Sequence, residues 1–127
     1  MKGLGVDIVE ISRIRNAIEK YGDNFIGRVY SKFEAAYCRR RGKNGIPEFA
    51  ARFAAKEAYA KALGTGISGL GRPHVPGRPR RISWLDVEVR NDPLGKPEIY
   101  LRGEKAEKVL VSLTHGVDSA IATVIIE

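Results

Sequence analysis

The sequence predicts an α+β fold in which an antiparallel sheet packs against helices. Three observations carry that expectation. Residues 3–11, "GLGVDIVEI", alternate with the period of a strand. Residues 47–62 form a long helical run between Pro47, suited to a first helical turn, and Gly64, suited to a C-terminal stop. From residue 81 onward, alternating segments are separated by turn residues.

In the opening strand Leu4, Val6 and Ile8 point one way, and Gly5, Asp7, Val9 and Ile11 the other. Asp7 is therefore the odd residue on a face otherwise small or apolar. Ser12 is expected to cap a helix on which Ile14, Ala17, Ile18 and Tyr21 recur at helical spacing, until Gly22 and Asp23 break it. A short helical piece around 25–30 follows. "SKFE" then has the form of a capping box, Ser31 to Glu34, opening a helix to about Arg40.

Gly42, Asn44 and Gly45 make a loop before the long helix. Residues 66–81, "GISGLGRPHVPGRPRR", are rich in Gly and Pro and read as a loop with a basic end. "RISWLDVEV" (81–89) reads as a strand, "NDPLGKP" as a turn and "EIYLR" (98–102) as the returning strand of a hairpin. "GEKAEKV" (103–109) is expected to form a short helical turn. "VLVSLTH" (109–115), Gly116 and "DSAIATVII" (118–126) form a second hairpin. With no repeat, heptad or linker, residues 1–127 are expected to form one domain.

The 127 residues are 43% hydrophobic and 29% charged, an ordinary globular composition. Cys38 is the one cysteine, which excludes an intrachain disulfide and a cysteine-based zinc site. The N-terminal apolar run carries Asp7 and Glu10, so it reads neither as a signal peptide nor as a membrane span, and a cytoplasmic setting fits best. The net charge of +7 and pI of about 9.8 favour an acidic or phosphorylated partner.

On a helical projection Phe49, Ala50, Phe53, Ala54, Glu57, Ala60 and Lys61 share an arc of about 140°. That arc predicts Glu57 and Lys61 on the packed face, with Glu48, Arg52, Lys56 and Tyr59 on the opposite side. An i,i+4 ion pair between Glu57 and Lys61 is one explanation. The other is convergence of Glu57 with Asp7, a residue type disfavoured in mid-strand, on a hard cation such as Mg²⁺. Lys61, Arg52 and the Gly64–Thr65–Gly66 turn would then hold phosphates near that metal. "SLTHG" (112–116) puts Ser112 and Thr114 on one strand face and His115 at a hairpin tip. No hydrolase elbow surrounds Ser112. Cys38 reads as a buried or half-buried helical thiol, His74 as an exposed loop residue and Arg39–Arg41 as a solvated helix end.

Taken together, "GLGVDIVEISRI", "FAAKEAYAKALGTGI", "WLDVEV", "GKP" and "SLTHGVDSAIATVIIE" resemble, in order, the segments of the holo-acyl-carrier-protein synthases, the small 4′-phosphopantetheinyl transferases. The resemblance covers nearly the whole chain. It departs at Gly116, where the family usually has an acidic residue, and at 103–109, where the family's helix is usually longer. It implies transfer of 4′-phosphopantetheine from coenzyme A to a serine of apo-acyl carrier protein for fatty acid synthesis, with release of adenosine 3′,5′-bisphosphate. It implies Mg²⁺ on Asp7 and Glu57, and Asp7, Glu57 and Lys61 as the catalytic set. Arg52, Lys61, Gly64, Thr114 and His115 would contact coenzyme A, and Arg13 and Arg15 would dock the acidic carrier protein. A cytoplasmic homotrimer with sites between subunits is implied, with no nucleic-acid or membrane partner. The rival readings are a basic nucleic-acid-binding module, which would leave Asp7 and Glu57 unexplained, and an idle structural subunit with Gly116 as its only hint.

Overall fold

The computed structural model describes residues 2–67, 76–77 and 81–127. Along the chain lie β1 (Gly3–Glu10), α1 (Ile11–Tyr21), α2 (Asp23–Val29), α3 (Lys32–Arg39), α4 (Ile46–Leu63), β2 (Val87–Asn91), β3 (Pro97–Leu101), β4 (Glu104–Lys105), β5 (Val109–His115) and β6 (Ser119–Ile126). The strands form two antiparallel three-stranded sheets, ordered β1-β6-β5 and β2-β3-β4, in place of one expected sheet.

Helix α4 is the centre of the packing, lying against β1, β6, β5 and β2 and against α1 and α3. Its many alanines allow this, because a helix with short side chains admits neighbours on every side. Gly3 and Gly5 bring β1 in further: a Cβ on Gly5 would fall 1.9 Å from the Ala58 carbonyl oxygen, and one on Gly3 2.3 Å from that of Ala62. Gly64 ends the helix in the left-handed conformation (φ 76°), where glycine is the least strained residue.

The expected division of α4 into a packed and a solvated side does not hold. Arg52, Lys56 and Tyr59, placed on the open side, are buried, since α3 and the second sheet cover them. From Phe49 to Ala60 the one residue that escapes burial is Glu57.

Lys56 has no exposed surface, and its ammonium donates to the Val29 carbonyl (2.6 Å), Glu34 Oε1 (2.7 Å) and the Trp84 carbonyl (3.1 Å). All three of its protons are used. Glu34, equally buried, accepts from the Ser31 N–H through Oε1 (3.0 Å) and from the Val89 N–H through Oε2 (2.9 Å), while Ser31 Oγ accepts from the Glu34 N–H (3.1 Å). The capping box expected from "SKFE" is thus present, and its glutamate also ties α3 to α4 and β2.

Three local expectations are corrected. Ser12 does not cap α1: the strand runs into the helix at Glu10–Ile11, and the Ile11 N–H is met by the Asp118 carbonyl (2.9 Å) of the β5–β6 turn. Residues 81–89 are not one strand, because the Ser83 N–H donates to Asp86 Oδ2 (2.9 Å) and winds Trp84–Asp86 into a 3₁₀ turn before β2 begins. Residues 103–109 hold no helix: Arg102 (φ 49°) and Gly103 (φ 85°) form a two-residue hairpin turn that sends Glu104–Lys105 back along β3.

The outer face of the first sheet is apolar. Leu4, Val6 and Ile8 are 54, 51 and 63% exposed, and Leu110 and Ile121 are exposed beside them.

Removing one partner of the buried pair leaves the other charged and unpaired. Lys56→Met is expected to lower the unfolding free energy by about 3–5 kcal/mol, and the double substitution Glu34→Gln/Lys56→Met to recover part of that loss. Urea unfolding checks both, and a single substitution costing no more than the double would contradict the assignment.

Candidate active site

Asp7 lies on the inner face of β1, opposite the fully buried Ala122 of β6, with Gly5 and Val9 on the same face. Small neighbours leave room for a carboxylate under the sheet. Its side chain is 15% exposed and its Oδ1 accepts from Lys61 Nζ at 3.0 Å; the same ammonium donates to the Val6 carbonyl at 3.1 Å. Lys61 of α4 therefore meets Asp7 of β1.

The glycine contacts set the direction. β1 passes Ala62 at Gly3 and Ala58 at Gly5, so Asp7 comes one step nearer the N-terminal end of α4. Glu57 and Lys61 sit one turn apart on one edge of that helix, about 40° from each other. The half-buried Glu57 and the Asp7–Lys61 pair thus share one side of α4.

Arg52 does not join them. It lies about 140° around α4 from Glu57, and Nη2 donates to Asn91 Oδ1 (2.5 Å) while the guanidinium stacks on Tyr37, 4.1 Å from the ring centre. Here it borders a second cleft of about 390 Å³, together with Thr114, His115, Glu48, Tyr37 and Arg41. Arg41 donates to the Tyr37 hydroxyl (2.7 Å), and its guanidinium also lies against that ring, 4.6 Å from the centre. His115 Nε2 stands 4.0 Å from Glu48 Oε1. Two buried atoms at this cleft have no hydrogen-bond partner, Arg52 Nε and Glu48 Oε2. The cleft thus sets the guanidinium groups of Arg41 and Arg52 beside the carboxylate of Glu48, with one unused donor and one unused acceptor.

So the candidate residues divide into two groups. Asp7, Glu57 and Lys61 lie on one side of α4; Arg52, Thr114 and His115 on another. Gly64 acts as the helix stop, and the buried hydroxyl of Thr65 beside it has no partner. Arg13 and Arg15 are exposed on α1, Arg13 lying over the Phe53 ring at 5.4 Å. Tyr37, Glu48 and Asn91 were not singled out by the sequence, and Arg41 was read only as part of a helix end. The available signal was a charge run next to an aromatic, which does not by itself point to a cleft. His74 and residues 78–80 of the basic cluster lie outside the described residues.

Among the described residues no cluster of three or more His, Cys, Asp or Glu forms a self-sufficient metal cage. A pair of carboxylates suits Mg²⁺, which keeps waters and takes phosphate oxygens as its remaining ligands. That Asp7 already holds an ammonium shows that a cation fits against it. No helix among the described residues is long and apolar enough to cross a membrane.

A carboxylate–ammonium pair and a cationic cleft on one α+β framework define a protein equipped to handle phosphate esters. The chain belongs to the 4′-phosphopantetheinyl transferase superfamily, whose model matches residues 3–125. It is 41% identical over 128 residues to the holo-[acyl-carrier-protein] synthase of Chloroherpeton thalassium, covering 98% of this chain and 96% of the relative. Among solved structures it resembles the Neisseria meningitidis synthase, with TM-score 0.79, 33% identity and coverage of 100% and 98%. It also resembles the Bacillus anthracis synthase in complex with CoA (3′,5′-ADP), with TM-score 0.74, 35% identity and coverage of 97% and 93%.

Cys38 is a structural residue. It is wholly buried, and burial pushes its thiol from 9.0 up to about 12; the phenol of Tyr30, whose hydroxyl donates to the Phe49 carbonyl (2.7 Å), is also raised by burial. The unfolded chain would release these protons at lower pH than the native one, so their contribution to stability is complete below about pH 8 and declines as pH rises through the thiol and phenol ranges. The urea midpoint is expected to fall between pH 8 and pH 10.5, with a shallower fall in Cys38→Ala. Native protein should not react with a thiol reagent at pH 8, and denatured protein should release one equivalent. Rapid labelling of the native protein would refute the assignment.

Proposed function

We propose that this protein transfers the 4′-phosphopantetheine group of coenzyme A to a serine hydroxyl of apo-acyl carrier protein, with release of adenosine 3′,5′-bisphosphate, and does so in the cytoplasm. The observation that carries the reading is the meeting of Asp7 with Lys61 beside Glu57, within a chain whose relatives bear the name holo-[acyl-carrier-protein] synthase. Phosphoryl transfer asks mainly for positioning and charge neutralisation, and this site supplies both.

Asp7 and Glu57 would hold Mg²⁺. Once bound, the ion would supply Lewis-acid polarisation of the pyrophosphate and neutralise charge on the departing phosphate. The remaining work falls to the chain. Lys61 contacts the phosphates as a flexible point charge. Glu57 is the candidate to take the proton of the incoming serine. Arg52, with its unpartnered Nε, and His115 and Thr114 receive the nucleotide end. Arg13 and Arg15, exposed on α1, meet the acidic carrier protein.

The reading includes a homotrimer. The exposed apolar face of Leu4, Val6, Ile8, Leu110 and Ile121 supports self-association. A partner copy seated there would bring the Arg52–His115 cleft of one subunit to the Asp7–Glu57 side of the next.

Incubation with coenzyme A, Mg²⁺ and apo-acyl carrier protein is expected to add a phosphopantetheine mass to the carrier, read by mass spectrometry. The gain should vanish with EDTA and fall at least about a hundredfold in Glu57→Gln. Arg13→Glu is expected to raise KM for the carrier and spare that for coenzyme A; equal carrier KM values would remove Arg13 from the docking surface. If sites span subunits, refolding equal amounts of inactive Arg52→Ala and Glu57→Gln together should restore about a quarter of the parent activity, since half the chains supply each intact half. No recovery would place each site within one chain.

A further inference from the structure

We infer that Lys61 is a stand-in cation for Asp7, and that a divalent metal displaces it, releasing the ammonium toward phosphate. The inference rests on the function proposed above and concerns how its metal and phosphate sites are linked. Asp7 is mostly enclosed between sheet and helix, where a carboxylate without a counter-charge is unfavourable. Lys61 supplies the counter-charge at 3.0 Å and satisfies Oδ1 directly.

The lysine is placed so that it can leave. Its own side chain is 53% exposed, against 15% for Asp7. Its second bond is to the neutral Val6 carbonyl, which water can replace. It stands in the last turn of α4, three residues before the Gly64 stop, on a four-carbon stem free to swing past the helix end. The pair joins only β1 and α4, in contrast to Lys56, whose three bonds cross-link four segments.

Two cations cannot both take Oδ1 at full strength. A divalent ion offers the stronger attraction to a carboxylate and wins when present, and the freed ammonium then seeks the nearest anion. A pyrophosphate ester beside the metal is that anion. Metal and pyrophosphate therefore assist one another: the metal frees the lysine for phosphate, and phosphate keeps the lysine away from Asp7. By thermodynamic linkage each must tighten the other, and part of that coupling passes through Lys61.

The test measures binding rather than turnover. Mn²⁺ serves as the probe, with free ion counted by its electron paramagnetic resonance signal, with and without coenzyme A. Without coenzyme A, Lys61→Met is expected to bind Mn²⁺ about two- to fivefold more tightly than the parent, the range of a partly exposed ion pair. It should also show a smaller gain in Mn²⁺ affinity on adding coenzyme A. Lys61→Gln should behave the same way, with circular dichroism and thermal melting confirming that both variants are folded. Unchanged or weaker Mn²⁺ affinity in both variants overturns the inference. Lys20→Met, which removes the same charge from α1, should leave Mn²⁺ affinity unchanged; an equal gain there would assign the effect to net charge and overturn it too. Asp7→Asn separates the two levels of the reading. Loss of Mn²⁺ binding in Asp7→Asn with no gain in Lys61→Met sinks the exchange alone, whereas parental Mn²⁺ affinity in Asp7→Asn sinks the metal site with it.

Discussion

The buried Lys56–Glu34 pair is the constraint on which the rest of the arrangement depends. Moving an ammonium and a carboxylate out of water is unfavourable by several kcal/mol for each ion, so the pair persists only where every proton and lone-pair demand is met. Here the ammonium has three acceptors, from α2, α3 and the turn before β2, and the carboxylate takes N–H groups from both Ser31 and Val89. Rotation of α4 by even a fraction of a turn would strand both charges. Burial acts on Lys56 in the expected direction, lowering its affinity for a proton, while Glu34 acts against that shift. A fully bonded polar centre of this kind fixes the register of a helix more sharply than alanine packing, which tolerates sliding.

With Lys56 pinned inward, the neighbouring residue has little choice. Glu57 lies about 100° further round the helix, and it emerges where the helix is covered by neither the second sheet nor α3. Lys61, one turn on, follows it to the same edge. From the other direction the close passage of β1 at Gly3 and Gly5 brings Asp7 to that edge, because a strand held this near a helix has its inward side chains aimed along it. The candidate carboxylates are thus placed by two features that are themselves chemically inert: an ion pair with no solvent contact, and two missing side chains.

These facts also explain what could be read in the sequence and what could not. The opening strand, the capping box at Ser31–Glu34, the glycine stop at Gly64 and the β5–β6 hairpin are local signals, decided by residues a few positions apart, and all are present in the fold. Asp7 was conspicuous because an acid in mid-strand contradicts its surroundings. What could not be read was anything that depends on a second layer. The projection of α4 assumed one covered face, so Lys56 and Arg52 were taken for surface residues; a helix covered on most of its circumference by two sheets breaks that assumption. Arg52 was therefore linked to Lys61 by charge alone, although the fold assigns it to the Tyr37–Asn91 wall. At Ser83–Asp86 the alternation of apolar residues masks a second, equally local side-chain-to-backbone box, and at Arg102–Gly103 the positive φ of Arg102 has no signature in its residue type.

The separation of the two residue groups has a consequence for assembly. Arg52 and Glu57 are about 7.5 Å apart along α4 and on widely different sides of it. A single extended ligand cannot touch both within one chain by crossing α4, because that helix is covered by strands and helices between them. Either the Arg52–His115 cleft and the carboxylate edge serve different molecules, or one ligand bridges from a subunit to its neighbour. The first option leaves the unpartnered Nε of Arg52 and the apolar outer face of β1, β5 and β6 without a common explanation. The second, under the homotrimer proposed above, would use both: the apolar face would supply the contact, and the contact would complete the site. In such an assembly one chain would not need to build both walls of a cleft around its own core, since symmetry would provide the second wall from an identical copy.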